Sequence, residues 1–335
     1  MQNKIKTLGY LIIATIFLSF AGCSSKLTAQ DVDVYVAGRE GRKAILWKNG
    51  VKTKLSDNVS DARSVYVSGS DVYVAGWEGI DGTGYATLWK NGVKTTTLSN
   101  YSYANSVYVS GSDVYIAGWE GIDGTDYATL WKNGVATKLS DSVSDANSVY
   151  VSGSDVYVAG IEDIDELRKA TLWKNGVKTT LFIKDNTQSY ANSVYVSGND
   201  VYVAGSVYVY ITEGVYVAGD EEGLILWKNG VATTLSDNGG YGSAESVFVS
   251  GNDVYVAGKE NEHAILWKNG VATKLSGNGY VYANSVFVSG SDVYVAGYED
   301  LGAMYSDYAI LWKNGVATKL NDRNSRANSV FVVKK

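Results

Sequence analysis

A pentapeptide, Leu-Trp-Lys-Asn-Gly, occurs seven times in the chain, centred on Trp47, Trp89, Trp131, Trp173, Trp227, Trp267 and Trp312. Successive tryptophans stand 42, 42, 42, 54, 40 and 45 residues apart. Repeats of roughly 40 to 50 residues are the length of one four-stranded propeller blade, a unit that cannot bury its own faces and must stack on a neighbour. The length of 335 residues would otherwise suggest about two domains, but a repeat that adds units to one closed body sets that expectation aside.

Each unit holds four short segments rich in β-branched and aromatic residues and bounded by Gly, Ser, Asn or Asp, the pattern of strands. In the second unit these are Ser64–Gly69, Asp71–Gly76, Tyr85–Lys90 and Val93–Leu98, here called A, B, C and D. Ser-Gly-Ser-Asp between A and B is a tight reversal. Asn-Gly between C and D is the strongest short hairpin signal, since both central residues of a type I′ turn need positive φ. Antiparallel A–B and C–D pairs follow, with the B–C and D–A connections expected to be longer loops.

Val-Tyr-Val in A and B is apolar at successive positions, so both faces of each sheet must be covered. Sheets stacked around an axis meet that demand. The first unit starts at segment B and the chain ends with an unpartnered segment A, Ser329–Val333. Together these complete one blade and close the ring without an exposed edge. The expected fold is therefore an all-β, seven-bladed β-propeller of four-stranded antiparallel blades over residues 31–335, closed by its two terminal strands. One extra hairpin interrupts it at about 206–219, where Val-Tyr-Val recurs before the next segment C. Eight sheets with one truncated is the alternative.

The composition agrees: 26 Tyr, 37 Gly and no Pro with 45% apolar residues is a β-rich, turn-rich profile. Lys4 and Lys6, the apolar stretch Leu8–Phe20 and the small residues Ala21-Gly22 have the order of a secretory signal over residues 1–22. Its 13 apolar-stretch residues fall short of the roughly 20 a membrane-spanning helix needs. Ser19 to Cys23 resembles the lipobox of bacterial lipoproteins, which implies lipidation of Cys23, the only cysteine. Residues 23–30 read as a polar tether, and Ser24 and Ser25 without a following Asp resemble lipoproteins sorted to an outer membrane. Ordinary secretion is the alternative.

Loss of Lys4 and Lys6 with the signal would take the net charge from −6 to −8. That excludes a nucleic-acid partner, which demands a basic face, and leaves the lipid as the only membrane attachment. The Asp-Val-Tyr-Val-Ala-Gly and Leu-Trp-Lys-Asn-Gly repeats resemble those of a group of bacterial exported β-propellers, over nearly the whole mature chain. The resemblance implies fold and location, and brings no activity or site residues with it.

Tight A–B and C–D turns gather at one end of the ring, so individuality is expected at the other. Glu40, Glu78, Glu120, Glu162, Glu221, Glu260 and Glu299 recur at the start of the B–C connections. They are either an acidic ring or a contact that every unit repeats. Trp77 and Trp119 are the only tryptophans outside the pentapeptide and open two adjacent connections. With Tyr101, Tyr103, Glu78, Asp81, Glu120 and Asp123 they form the candidate ligand-binding set, because aromatic faces stack on apolar surface while acids take hydroxyl or amine donors. Covering lids on the blade tops are the alternative.

Asp81, Asp123 and Asp126 lack the ligand series of a calcium loop. With one histidine, His263, and one cysteine, a histidine triad, a cysteine nucleophile and a histidine-rich metal site are hard to build. No cofactor is expected. The sequence thus reads as a lipid-anchored extracytoplasmic module that binds an envelope protein, peptide or glycan without catalysis. A carboxylate-based carbohydrate-active enzyme and a structural surface spacer are the other readings.

Overall fold

The structure, a computed structural model, describes residues 32–335 except 182, 185, 210–222, 237–240, 276–278, 303–306 and 322. The signal, the tether, Cys23, Glu221 and most of the extra hairpin, 210–219, lie outside the described residues. Seven four-stranded antiparallel sheets form the blades of a propeller. Blade 1 takes its strand A from the C-terminus, Ser325–Lys334, beside strand B, Val32–Glu40, and the register Tyr35↔Phe331 closes the ring. Blade 2 runs through strands A to D as Val59–Ser68, Asp71–Ile80, Thr83–Lys90 and Val93–Asn100. Blades 3 to 7 repeat that order.

Seven separate hydrophobic clusters fill the seven gaps between blades. The pentapeptide tryptophan supplies the largest side chain to each: Trp89 of blade 2, for example, packs with Tyr35, Leu46 and Leu55 of blade 1. All seven are at most 1% exposed. At about 25 cal/mol per Å² and some 200 Å² of ring, each indole contributes about 5 kcal/mol to the interface it fills. That shared packing is why the residue recurs.

Strand A carries the ring's polar register. Its repeated Ala-Asn-Ser-Val-Tyr-Val is broken by a β-bulge after the Ala, as between Ala104 and Ser106. The Ser after the bulge accepts a hydrogen bond from the next blade: Val107 N donates to Ser64 Oγ at 3.1 Å and Val65 N to Ser329 Oγ at 3.2 Å, and the pattern continues round all seven blades. Opposite each bulge sits the Gly of Val-Tyr-Val-Ala-Gly. An added Cβ there would lie 1.8 to 2.2 Å from a strand A carbonyl oxygen, so no side chain fits. Towards the other end of strand A, Tyr66, Tyr108, Tyr150, Tyr195, Phe248, Phe287 and Phe331 form a closed ring with successive centroids 4.7 to 4.9 Å apart.

The end bearing the A–B and C–D turns is uniform. Asn49 donates from Nδ2 to Asp33 Oδ1 at 2.8 Å and accepts from Val34 N at 2.9 Å, while Lys48 pairs with Asp33 at 3.1 Å and lies 5.1 Å from the Tyr35 ring. The same Asn–Asp–Lys set recurs in every blade. The Asn of the pentapeptide therefore closes the C–D turn and also ties it to strand B. Outer strand D is exposed throughout most blades and short, as Val51–Lys54 and Val135–Lys138 show. Short, lysine-bearing edges resist pairing with other chains.

At the opposite end the expected B–C loops are mostly absent. Strand B extends to Ile80 and strand C starts at Thr83, leaving a two-residue Asp81-Gly82 turn with φ of +51° and +82°. Asp123-Gly124 does the same in blade 3. Asp-Gly is a type I′ signal of the same kind as Asn-Gly, so the sheets run to the very end of the blade. Ser206–Val209, the start of the extra hairpin, continues strand B of blade 5, with Val207 paired to Ser189 and Gly223.

Candidate functional site

The expectation that Trp77 and Trp119 open loops is corrected by these hairpins: both lie within strand B, and Tyr103 lies on strand A of blade 3, Ser102–Ser110. Strand positions fix them more firmly than a loop would. Tyr103 and Trp119 are a cross-strand pair stacked at 4.7 Å and 23°. Trp77 reaches Tyr103 from blade 2 at 5.0 Å, and Tyr101 meets Trp119 edge-on at 5.7 Å. One continuous aromatic run thus crosses two blades.

Local backbone chemistry sets this run in place. Tyr101 sits in the turn before strand A with φ +48°, and its ring lies so close to Gly121 that a Cβ there would meet Tyr101 Cδ1 at 1.9 Å. Tyr101 remains 53% exposed. Among the described residues Trp77 Nε1 is buried without a hydrogen-bond partner, so the indole turns its polar atom inward.

The acids of the candidate set are placed differently. Asp81 and Asp123 are exposed turn residues with positive φ. Glu78 is buried, pairs with Lys94 Nζ at 2.6 Å, and accepts from Ser56 Oγ and Asn58 Nδ2. Burial opposes its ionisation, but Lys94, Ser56 and Asn58 outweigh it and hold the carboxyl below its usual range. Glu120 is half-buried opposite Ser102 and Tyr127. Glu40, Glu162 and Glu299 make the same kind of B-to-D ion pair, with Lys52, Lys178 and Lys319 at 2.8, 3.0 and 3.8 Å. Four of the six described glutamates thus repeat one contact, while Glu260 accepts from Ser236 Oγ.

Sequence reasoning missed the rest of this end. Two columns of the repeat change while their neighbours stay constant. One precedes the bulge Ala: Asp61, Tyr103, Asp145, Tyr190, Ser243, Tyr282 and Arg326. The other follows the packed Gly: Arg39, Trp77, Trp119, Ile161, Ser206, Lys259 and Tyr298. In all seven blades the columns face each other as cross-strand partners, Asp61↔Trp77, Tyr190↔Ser206 and Tyr282↔Tyr298 among them. They make one variable rim above a constant body. Aligning the seven units column by column would have exposed it.

On this rim Arg63 replaces the bulge Asn. Its Nη1 donates to Asn105 Oδ1, its guanidinium lies 5.2 Å from the Tyr103 ring, and Asn105 Nδ2 donates to Asp145 Oδ1 at 2.9 Å. Burial pushes the Asp145 carboxyl up to about 6 against the opposing pull of Arg63. Burial raises Asp61 as well, opposed first by Arg63 and then by Arg39. Arg39, Arg42, Arg63 and Trp77 line a cavity of about 310 Å³ beside the aromatic run. Stacking faces, guanidinium donors and carboxyl acceptors are thereby brought to one place. Among the described residues no group of three His, Cys, Asp or Glu is arranged to hold a metal.

No protein-family model matches the chain, and no curated protein matches it. Among solved structures it is similar to YjhT, with 9% identity over 78% of this chain and 97% of that one and a TM-score of 0.45. It is similar to TolB from Acinetobacter baumannii at 10% identity over 74% of this chain and 64% of that one, TM-score 0.46. The Cps50 (Swd1) β-propeller domain of Myceliophteria thermophila gives 13% identity over 78% and 89%, TM-score 0.44. Such likenesses carry nothing about activity.

Proposed function

We propose that this propeller is a non-enzymatic binding module, lipid-anchored through Cys23 on the outer side of a cytoplasmic membrane, that holds an envelope glycan, peptide or protein on its variable rim. The observation that carries the reading is the Trp77–Tyr103–Trp119–Tyr101 run, with contacts of 4.7 to 5.7 Å across two blades and Arg63 against Tyr103. Aromatic faces that keep partial exposure beside guanidinium donors suit ligands with apolar faces and polar edges, since stacking supplies affinity and the donors fix orientation. The constant remainder of the blades supports the same division of labour: a body that repeats for packing and a rim that varies for recognition.

Probing glycan and peptide arrays with the purified mature chain tests this. Specific signals that fall at least about tenfold in the Trp77→Ala, Trp119→Ala double variant support the reading. Signals unchanged in that variant, or product release from a bound polysaccharide that single rim Asp or Glu changes abolish, overturn it.

A further inference from the structure

A second constellation lies on the same rim, at the junction of blades 5 and 6. Strand A of blade 5, Thr187–Ser197, and strand B, Asp200–Val209, supply Tyr190 and Tyr208; blade 6 supplies Tyr241 and Glu245. With Gln188 and Asn192 these residues line a cavity of about 550 Å³, inside the 300 to 1,000 Å³ range of small-molecule sites. The rings turn about the space: Tyr190 and Tyr208 meet edge to face at 5.6 Å and 78°, and Tyr208 and Tyr241 at 5.9 Å and 49°. The Tyr208 hydroxyl donates to Gly242 O at 3.2 Å and the Tyr190 hydroxyl to Gln188 Oε1 at 3.0 Å. Both hydroxyls are thus occupied, and Arg168 already lies 6.0 Å from the Tyr190 ring, so the ring surface left for a ligand is mainly that of Tyr208 and Tyr241.

Glu245 stands where five of the other blades have Asn and blade 2 has Arg63. Each of those Asn donates to the following blade, as Asn284 Nδ2 does to Ala327 O at 2.9 Å; an ionised carboxylate has no proton to give. Glu245 makes no ion pair among the described residues. Burial pushes its carboxyl up, opposed only by a hydrogen bond from Ser243.

The neighbouring junctions show what belongs in such a setting. Between blades 7 and 1, Arg326 lies 4.3 Å from the Tyr298 ring and pairs with Asp307 at 2.5 Å. Between blades 6 and 7, Lys259 lies 4.4 Å from the Tyr282 ring and 5.3 Å from Tyr280. At the first the cation comes from the strand A position before the bulge Ala, and at the second from the strand B position after the packed Gly. At the junction of blades 5 and 6 those positions are Ser243 and Ser206, both too short and uncharged.

We infer that the cavity formed by Tyr190, Tyr208, Tyr241 and Glu245 is an aromatic cage for a small organic cation of the alkylammonium class, which takes the place that Arg326 and Lys259 fill at the neighbouring junctions. Tyrosine rings attract a positive charge through their quadrupole-negative faces, and a bound cation draws the Glu245 carboxyl towards its ionised form, which neutralises the ligand's charge. This site is separate from the Trp77 run, and each can fail without the other.

Choline is the probe, with 3,3-dimethylbutan-1-ol as its uncharged isostere, each titrated into the mature chain by calorimetry. Saturable choline binding that is at least about tenfold tighter than binding of the isostere is expected. Glu245→Gln and Tyr208→Leu should each weaken choline about tenfold, whereas Tyr208→Phe, which keeps the ring, should retain it. Thermal unfolding of each variant identifies any that has simply failed to fold. Equal affinity for the isostere, no saturable choline binding, or choline affinity unchanged in folded Glu245→Gln and Tyr208→Leu overturns the assignment. So does preferential binding of a neutral sugar in the same cavity.

Discussion

Tyr66 of blade 2 and Phe331 of the C-terminal strand lie with ring centroids 4.7 Å apart, and through that contact the C-terminal strand takes its place in one continuous aromatic ring. The contact joins the last strand of the sequence to an early one. It adds to the ladder between Val32–Glu40 and Ser325–Lys334 that closes the ring.

Phe331→Ala should cost about 2 kcal/mol, roughly half the 3 to 5 kcal/mol of a fully buried Phe because this ring is only partly buried. Phe331→Tyr should cost less than about 1 kcal/mol, since four of the seven ring positions are already Tyr. Urea unfolding checks both. Equal losses for the two variants would mean that the ring face is not what matters there.

Gly118 opposes the bulge of blade 3, and a Cβ on it would lie 1.9 Å from Tyr103 O. Gly118→Ala should destabilise by at least about 3 kcal/mol, because the obstructing atom is backbone and cannot swing aside. Gly134→Ala meets no atom within 4 Å, although it carries a positive φ of +84°, and should cost about 1 kcal/mol. Thermal denaturation of the pair separates the steric effect from the conformational one.

Asp145 and Asp33 pull stability in opposite directions with pH. Burial raises the folded Asp145 carboxyl to about 6, so folding takes up a proton and stability falls as pH rises from about 4 to 6. Asp33 is held down at about 2 by Asn49, against its desolvation, with help from Lys335 and Lys48. Its contribution is present above about pH 4 and is lost as pH falls towards 2. Asp145→Asn keeps an acceptor for Asn105 and should be more stable than the wild type at pH 7, with the fall between pH 4 and 6 gone. An unchanged pH profile would show that Asp145 is not strained by its ionisation.

Cys23→Ser should release the protein from the membrane fraction and abolish metabolic incorporation of a labelled fatty acid. Retention of the label in that variant would contradict lipidation at this residue.

The fold was legible because its determinants are local and repeated. Asn-Gly turns, apolar Val-Tyr-Val runs and the unpartnered terminal segments each carry a physical requirement readable from residue order alone. The B–C connections were misjudged because Asp81-Gly82 and Asp123-Gly124 are the same turn signal as Asn49-Gly50, but were embedded in stretches that looked like loops. The rim was less legible. Trp77 and Trp119 stand out by residue type, whereas Arg63 and Glu245 stand out only against the Asn of other blades, and their meaning depends on contacts between blades. Tyr190, Tyr208 and Tyr241 are unremarkable among 26 tyrosines until the junction of blades 5 and 6 brings them together.

The central claim is that recognition belongs to the variable rim and the turn-bearing end is structural. Affinity capture from the native cell envelope tests it most directly, comparing wild type with the Trp77→Ala, Trp119→Ala rim variant and with a Val51→Ser, Val93→Ser variant of the uniform end, where these valines are 72% and 66% exposed. The account predicts a specific bound component that is lost with the rim variant and retained with the valine variant. Loss with the valine variant, or equal capture by all three, would contradict it.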